Sequence, residues 1–311
     1  MKNPPKKLTV CPNCQTELEN LEPFCPTCGQ KNQDILLPLK AHLADLFESI
    51  FNWDSRFFRT LKVMFFNPGK LTVDFNEGKR KSYVPPLRMY LVSSILFFLL
   101  FNMASENAVR DVDNSLEDTI GAITDTVDIN LGTTGMLLTG PEVLEVKKMN
   151  DTQLDSLLIS KGAKPGLFNR ISVRQTLRVM TGGMSEYYAQ FMQAASVGMF
   201  VLMPVFAGLL MLFFRKPKRF YVEHLVLSVH LHTLAFLLFS VNILTQQIGF
   251  LSFLDYVFPY LAVILIILYL KKFYRKSWLK TIGLSLLLAI SYTILFTISL
   301  GVIGLISLFI Y

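Results

Sequence analysis

All four cysteines of the 311-residue chain fall in one short stretch, as Cys11-Pro-Asn-Cys14 and Cys25-Pro-Thr-Cys28-Gly29. Two Cys-x-x-Cys knuckles ten residues apart let four thiolates close a tetrahedron around one cation, and Gly29 permits the tight turn that follows such a knuckle. The expected occupant is Zn²⁺ held by Cys11, Cys14, Cys25 and Cys28. A shell of four protein ligands leaves no open position for substrate, so the expected role is structural, not catalytic. A second group of reactive side chains lies far downstream in Tyr221-Val-Glu223-His224-Leu-Val-Leu-Ser-Val-His230-Leu-His232, which holds three of the four histidines. Ionisable groups inside an apolar helix suggest a proton relay, an ion path or a metal site shared between helices. At 100° per residue Glu223 and His230 lie about 20° apart and about 10 Å along the axis, while His232 points to the other side. They cannot chelate a metal alone. The alternative is that Glu223 and His224 sit at the membrane interface beside Arg215 and Arg219, with the deeper histidines bonded to neighbouring helices. The chain carries no Gly-rich phosphate loop, no Ser/His/Asp arrangement and no His-Glu-x-x-His signature.

The elements that must hold these groups are membrane helices. The apolar fraction is 52%, with 26 Phe, and charged residues make up only 17%, against about a quarter in soluble domains. The reading is an all-α integral membrane protein with about five spans: 87–103, then about 193–214, 222–244, 256–270 and 281–308. Pro204 and Pro259 fall inside two of these and would kink them. Ser285, Ala289, Thr293, Thr297 and Gly301 place a small residue at every fourth position of the last, a stripe along which a neighbouring backbone could approach.

Basic loops give an orientation. Residues 215–219 and 271–280 together hold nine of the thirty Lys and Arg, and residues 1–88 hold thirteen more. Short basic loops stay in the cytoplasm, so the N-terminus is expected inside and the C-terminus outside. Cysteines confined to metal knuckles agree, since they imply a reducing compartment, and residues 1–30 lack the apolar core of a secretory signal. A net charge of +7 is accounted for by these loops, and no nucleic-acid partner is expected.

Five segments follow: a zinc ribbon over 1–32, juxtamembrane amphipathic helices over 36–84, the first span at 87–103, an extracytoplasmic segment over 104–192 and four spans over 193–311. In the second, Asp54 or Ser55 can cap a helix with Phe57, Phe58, Leu61, Met64 and Phe65 on one side and Arg56, Arg59 and Lys62 on the other, stopped by Asn67-Pro68-Gly69. Leu39, Leu43, Leu46, Phe47 and Ile50 repeat the helical period upstream. Together they suggest a hairpin lying in the plane of the cytoplasmic leaflet, with Lys79, Arg80 and Lys81 also at the lipid headgroups. The rival is a soluble hairpin packed on the bundle. In the outer segment, Asp111 to Gly140 reads as loop. Asn150 can cap a helix with Leu154, Leu157 and Leu158 that ends at Gly162, and Asn169 can cap another with Val173, Leu177 and Met180 that ends at Gly182-Gly183. Arg170, Arg174 and Arg178 form a basic stripe expected to face water or lipid headgroups.

The motifs Cys11-x-x-Cys14, Cys25-x-x-Cys28-Gly29, Phe58-Arg-Thr-Leu61, Pro68-Gly69, Gly78-Lys-Arg-Lys81-x-Tyr83-Val84-x-Pro86 and Tyr221-Val-Glu-His224 with His230 resemble a bacterial membrane family, domain-of-unknown-function family 3667. The resemblance implies a bacterial inner-membrane protein with a short zinc ribbon; it brings no active-site assignment. The expected role is a non-enzymatic scaffold or regulatory component whose ribbon recruits a cytosolic protein. The alternatives are a transporter or lipid-handling protein using the polar third span, and a membrane-embedded metalloenzyme built on Glu223, His224 and His230.

Overall fold

The computed structural model of the protein describes residues 8–19, 22–32, 55–122, 126–130, 135–180, 184–215, 217–251 and 253–310. The expected helix around Leu39 to Ile50, the Asp54 cap and the Gly182-Gly183 stop lie outside these residues. Five helices among those described are long and apolar enough to cross a membrane, which places the protein in a bilayer as an all-α membrane protein. They are α3 (Pro86–Ala122), α7 (Met184–Phe213), α8 (Tyr221–Gln246), α9 (Leu254–Tyr274) and α10 (Trp278–Ile310). Before them come α1 (Ser55–Phe66) and the short α2 (Lys70–Asn76). Helices α7 and α9 continue through Pro204 and Pro259.

The chain divides into two compact units. The first comprises residues 1–100 and 200–296. Its core is one apolar cluster in which Met64 of α1 and Leu71 of α2 join Leu227, Leu231 and Leu234 of α8 and Tyr269, Leu270 and Phe273 of α9. Tyr90 of α3 packs edge-on to Phe200 of α7, and Phe97 stacks on Phe236 of α8. Helix α8 is the inner helix: 61% of its most apolar stretch is buried, against 6% for that of α10. Helix α10 packs through Leu284, Leu288 and Tyr292. Ala289 and Thr293 of its small-residue stripe lie exposed.

Helices α1 and α2 pack on the bundle, while the upstream half of the expected hairpin lies outside the described residues. Met64 and Leu71 are fully buried and the Tyr269 hydroxyl donates to the Met64 carbonyl at 2.9 Å. The Asn67-Pro68-Gly69 turn makes this possible. Gly69 has φ +79°, and a Cβ there would lie 2.8 Å from Cβ of Lys272 and 3.1 Å from the Tyr269 carbonyl oxygen. Only glycine lets the turn approach α9 so closely.

The second unit comprises residues 101–199 and 297–311. The expected loop over Asp111 to Gly140 is replaced in part by regular structure. Helix α3 runs on to Ala122, because no Gly or Pro interrupts Leu87 to Ile120 and each further residue of an established helix adds a hydrogen bond. Arg110 pairs with Glu106 one turn back, at 2.7 Å. An antiparallel hairpin follows, β1 (Thr126–Asn130) with β2 (Gly135–Thr139), in register from Thr126↔Thr139 to Asn130↔Gly135. Then come α4 (Gly140–Lys148), α5 (Asp151–Ser160) and α6 (Leu167–Met180). Asn150 caps α5 as expected, accepting from the Gln153 N–H at 2.9 Å, and Gly162 takes φ +82° at its end. Helix α6 begins two residues before the expected cap, and Asn169 instead donates to the Lys164 carbonyl. Leu138, Val143, Val146, Leu154, Leu158, Val173 and Leu177 form a small separate core. Two residues of the basic stripe, each about a third exposed, are paired within the segment: Arg170 with Asp155, and Arg174 with Asp151 at 2.6 Å, clamping α6 to α5. The side chain of Arg178 is outside the described set.

Candidate functional site

The two knuckles are built to one plan. In each, a bridge joins the residue before the first cysteine to the residue three past the second: Val10 with Glu17, and Phe24 with Lys31. In each, the first cysteine carbonyl accepts from the N–H four residues on, at 2.9 Å, and that fourth residue takes positive φ: Gln15 at 64° and Gly29 at 68°. Backbone N–H groups converge on the sulfurs, from Asn13 and Cys14 onto Cys11 and from Thr27 and Cys28 onto Cys25. The four sulfurs lie within 4.8 Å of one another, with Cys11 to Cys28 at 3.6 Å and Cys14 to Cys25 at 3.5 Å. A metal–sulfur distance of about 2.3 Å implies sulfurs about 3.8 Å apart in a tetrahedron, so the set fits a four-thiolate metal site. Burial pushes the Cys11 thiol up to about 12, whereas the Thr16 hydroxyl and backbone pull Cys14 down to about 6. Crowded thiols resist ionising together, and a divalent cation at their centre would supply the compensating charge. Among the described residues this is the one group of three or more potential metal ligands within reach of each other.

The ribbon rests on the turn that follows α2. Gln30 donates its amide to the Gly78 carbonyl at 2.7 Å and accepts from the Lys81 N–H at 3.2 Å. Ser82 donates its hydroxyl to the Asn13 amide oxygen at 2.6 Å. Both docking residues also touch the cysteine cluster, since Asn13 and the Gln30 N–H hydrogen-bond Cys28. Sequence reasoning missed this coupling, because Gln30 and Asn13 look like ordinary polar loop residues. The same turn holds Asp74, the last acidic residue of α2, whose carboxylate meets Lys79 at 2.9 Å, the Tyr83 hydroxyl at 2.8 Å and Lys70 at 3.1 Å. Burial alone would raise the Asp74 carboxyl, but these hydrogen bonds outweigh it and hold it below the usual carboxylate range. Tyr83 is pushed up to about 12 by burial and by Asp74.

Of the basic residues expected at headgroups, Arg59, Lys62 and Lys81 are exposed and Arg56 is half-buried. Lys79 is occupied by Asp74 and Glu77, and Arg80 lies over the Phe75 ring at 5.3 Å.

The histidines of α8 are brought to three different partners. Nδ1 of His230 lies 2.9 Å from the Thr72 hydroxyl of α2. His224 Nδ1 meets the Tyr274 hydroxyl at 2.6 Å, and His232 Nε2 meets the Tyr292 hydroxyl at 2.7 Å. Glu223 is not joined to His230; it caps α8 through the Phe220 N–H at 2.8 Å and pairs with Arg219 at 2.6 Å. Hydroxyls, not carboxylates, thus partner these imidazoles, and each histidine ties α8 to a different helix.

Residues 54–98 match the family model described as "Protein of unknown function (DUF3667)". Over that segment the chain is similar to this family. The DUF3667 segment covers α1, α2, the turn beneath the ribbon and the start of α3; the cysteines and the α8 histidines lie outside it. Within the DUF3667 segment fall Gly69, Thr72, Asp74, Lys79 and Tyr83, the residues that seat the hairpin on the bundle and brace the turn. No curated protein and no solved structure matches the chain.

Proposed function

We propose that this membrane protein is a non-enzymatic scaffold or regulatory component of a bacterial inner membrane, in which a zinc ribbon receives a cytosolic protein and hands its presence to the bundle. The observation that carries this reading is the unbroken chain of contacts from Cys28, through Gln30 and Asn13, to the Gly78–Ser82 turn, and from α2 through Thr72 to His230. A module tethered only for anchorage would not need its metal shell bonded to the turn above α2. Zn²⁺ is the metal proposed, because four thiolates in a closed shell suit it and give folding energy, not reactivity. The docking face would centre on Val10 and Phe24, which hold equivalent places in the two knuckles and leave 42% and 55% of their surfaces exposed. With the basic 215–219 and 271–280 loops facing the cytosol, the ribbon lies on the same side and the C-terminus on the other. The pairing of every α8 histidine with a hydroxyl favours this reading over a metalloenzyme.

The test compares wild type with a Val10→Asp/Phe24→Asp variant, after elemental analysis finds one zinc per chain in both. The expected result is a cytosolic protein that co-purifies stoichiometrically with wild type from native membranes and is lost from the variant. Equal recovery with both, or none with either, would refute the recruitment reading. Hydrogen exchange at residues 70–82 reports the coupling: zinc removal should accelerate it in wild type, and Gln30→Ala/Ser82→Ala should abolish that response.

A further inference from the structure

The loop between α7 and α8 forms the mouth of a cavity of about 760 Å³, within the range of about 300–1,000 Å³ typical of ligand sites. Its walls are of two kinds. Gly208, Met211 and Leu212 from the end of α7 and Phe220 from the loop make an apolar side, and Phe220 keeps 66% of its surface exposed. Arg215, Lys218 and Arg219 make a cationic rim. Arg219 is already engaged, paired with Glu223, donating to the Phe273 carbonyl at 3.1 Å and lying 4.1 Å over the Phe273 ring. Arg215 and Lys218 are exposed, and among the described residues neither has an acidic partner. Gly208 opens the floor: a Cβ built there meets no atom within 4 Å.

We infer that this cleft binds an anionic phospholipid, with an acyl chain along Gly208, Met211 and Leu212 and the phosphate between Arg215 and Lys218. Charge and position fix the class of ligand. The rim presents two cations without an acidic partner among the described residues where two membrane helices end, the depth of lipid phosphates, and the apolar wall excludes a soluble phosphate compound that would want polar partners on every side. The site is independent of the ribbon and survives if the recruitment reading fails.

Phosphatidylglycerol and phosphatidylcholine of equal chain length, titrated onto the full-length protein in detergent and counted by native mass spectrometry, test it. Wild type should retain phosphatidylglycerol in preference to phosphatidylcholine, and Arg215→Ala/Lys218→Ala should weaken phosphatidylglycerol about thirtyfold, the equivalent of about 2 kcal/mol at about 1 per basic residue. Gly208→Leu keeps both charges, improves helix propensity and fills the floor; it should displace the lipid while leaving the thermal midpoint at or above that of wild type. Millimolar inorganic phosphate should not compete. Equal binding of the two lipids, full binding by Gly208→Leu, or displacement by inorganic phosphate would each overturn the assignment.

Discussion

Gly69→Ala separates two costs that one glycine carries. At φ +79° an alanine pays about 1–2 kcal/mol for the left-handed conformation. Its methyl would also lie 2.8 Å from Lys272 Cβ and 3.1 Å from the Tyr269 carbonyl oxygen, and the carbonyl belongs to α9 and cannot swing aside. Overpacking of that kind costs a further 1–3 kcal/mol or about that, giving about 2–5 kcal/mol in all. Gly162 is the internal control. It has φ +82° but nothing within 4 Å of its would-be Cβ, so Gly162→Ala should pay the conformational cost alone. Both changes share the same small gain from a stiffer unfolded chain, about 0.4–1 kcal/mol, so the difference between them reads the close approach to α9. Hydrogen exchange measured by mass spectrometry should accelerate about fivefold or more across 60–76 in Gly69→Ala, a net cost of about 1 kcal/mol or more, and less across 155–165 in Gly162→Ala. Comparable effects at the two glycines would refute the docking of the turn against α9.

Two further outcomes follow from the same hairpin. Thr72→Val removes the partner of a buried imidazole and should cost about 1–3 kcal/mol, lowering the thermal midpoint in detergent, whereas Thr72→Ser should restore it; a Val variant as stable as wild type would show that His230 does not depend on Thr72. Asp74 has a folded pKa below its unfolded value of about 3.9, so its contribution is fully present above that value and is lost as pH falls through the lower folded one. Exchange protection of 70–84 in wild type should therefore weaken below about pH 4, and Asp74→Asn should be less protected at pH 7 yet flat over the same acid range; a parallel acid response in the variant would exonerate Asp74.

The sequence made some of this legible for reasons that are local. Five long apolar runs can only be membrane helices, and two Cys-x-x-Cys knuckles at short separation can only converge. Asn150 three residues before Gln153 is a cap readable without any fold. What was hidden depended on partners distant in the chain. The hairpin of α1 and α2 has the composition of an interfacial helix, and nothing in Met64 or Phe65 distinguishes lipid from the side of α9 as the apolar surface that covers them. The helical angle between Glu223 and His230 relates two positions of one helix but does not say which neighbour each side chain meets; Thr72 stands 158 residues from His230. Arg170 and Arg174 looked like a stripe awaiting a surface because their partners, Asp155 and Asp151, lie on another helix.

That separation between Thr72 and His230 also sets an order of events during synthesis. At about 5–20 residues per second the ribosome takes about 8–30 s to make the chain between them. For that interval the nascent hairpin carries Met64, Leu71 and Phe75 with no bundle to cover them, and α8 later enters the membrane with its imidazole still unmatched. Helix α8 is the least suited of the five to meet lipid alone, since most of its apolar stretch belongs inside protein. A segment made early therefore closes onto a helix made late, and factors that shield the hairpin during the wait should govern how much of the protein matures.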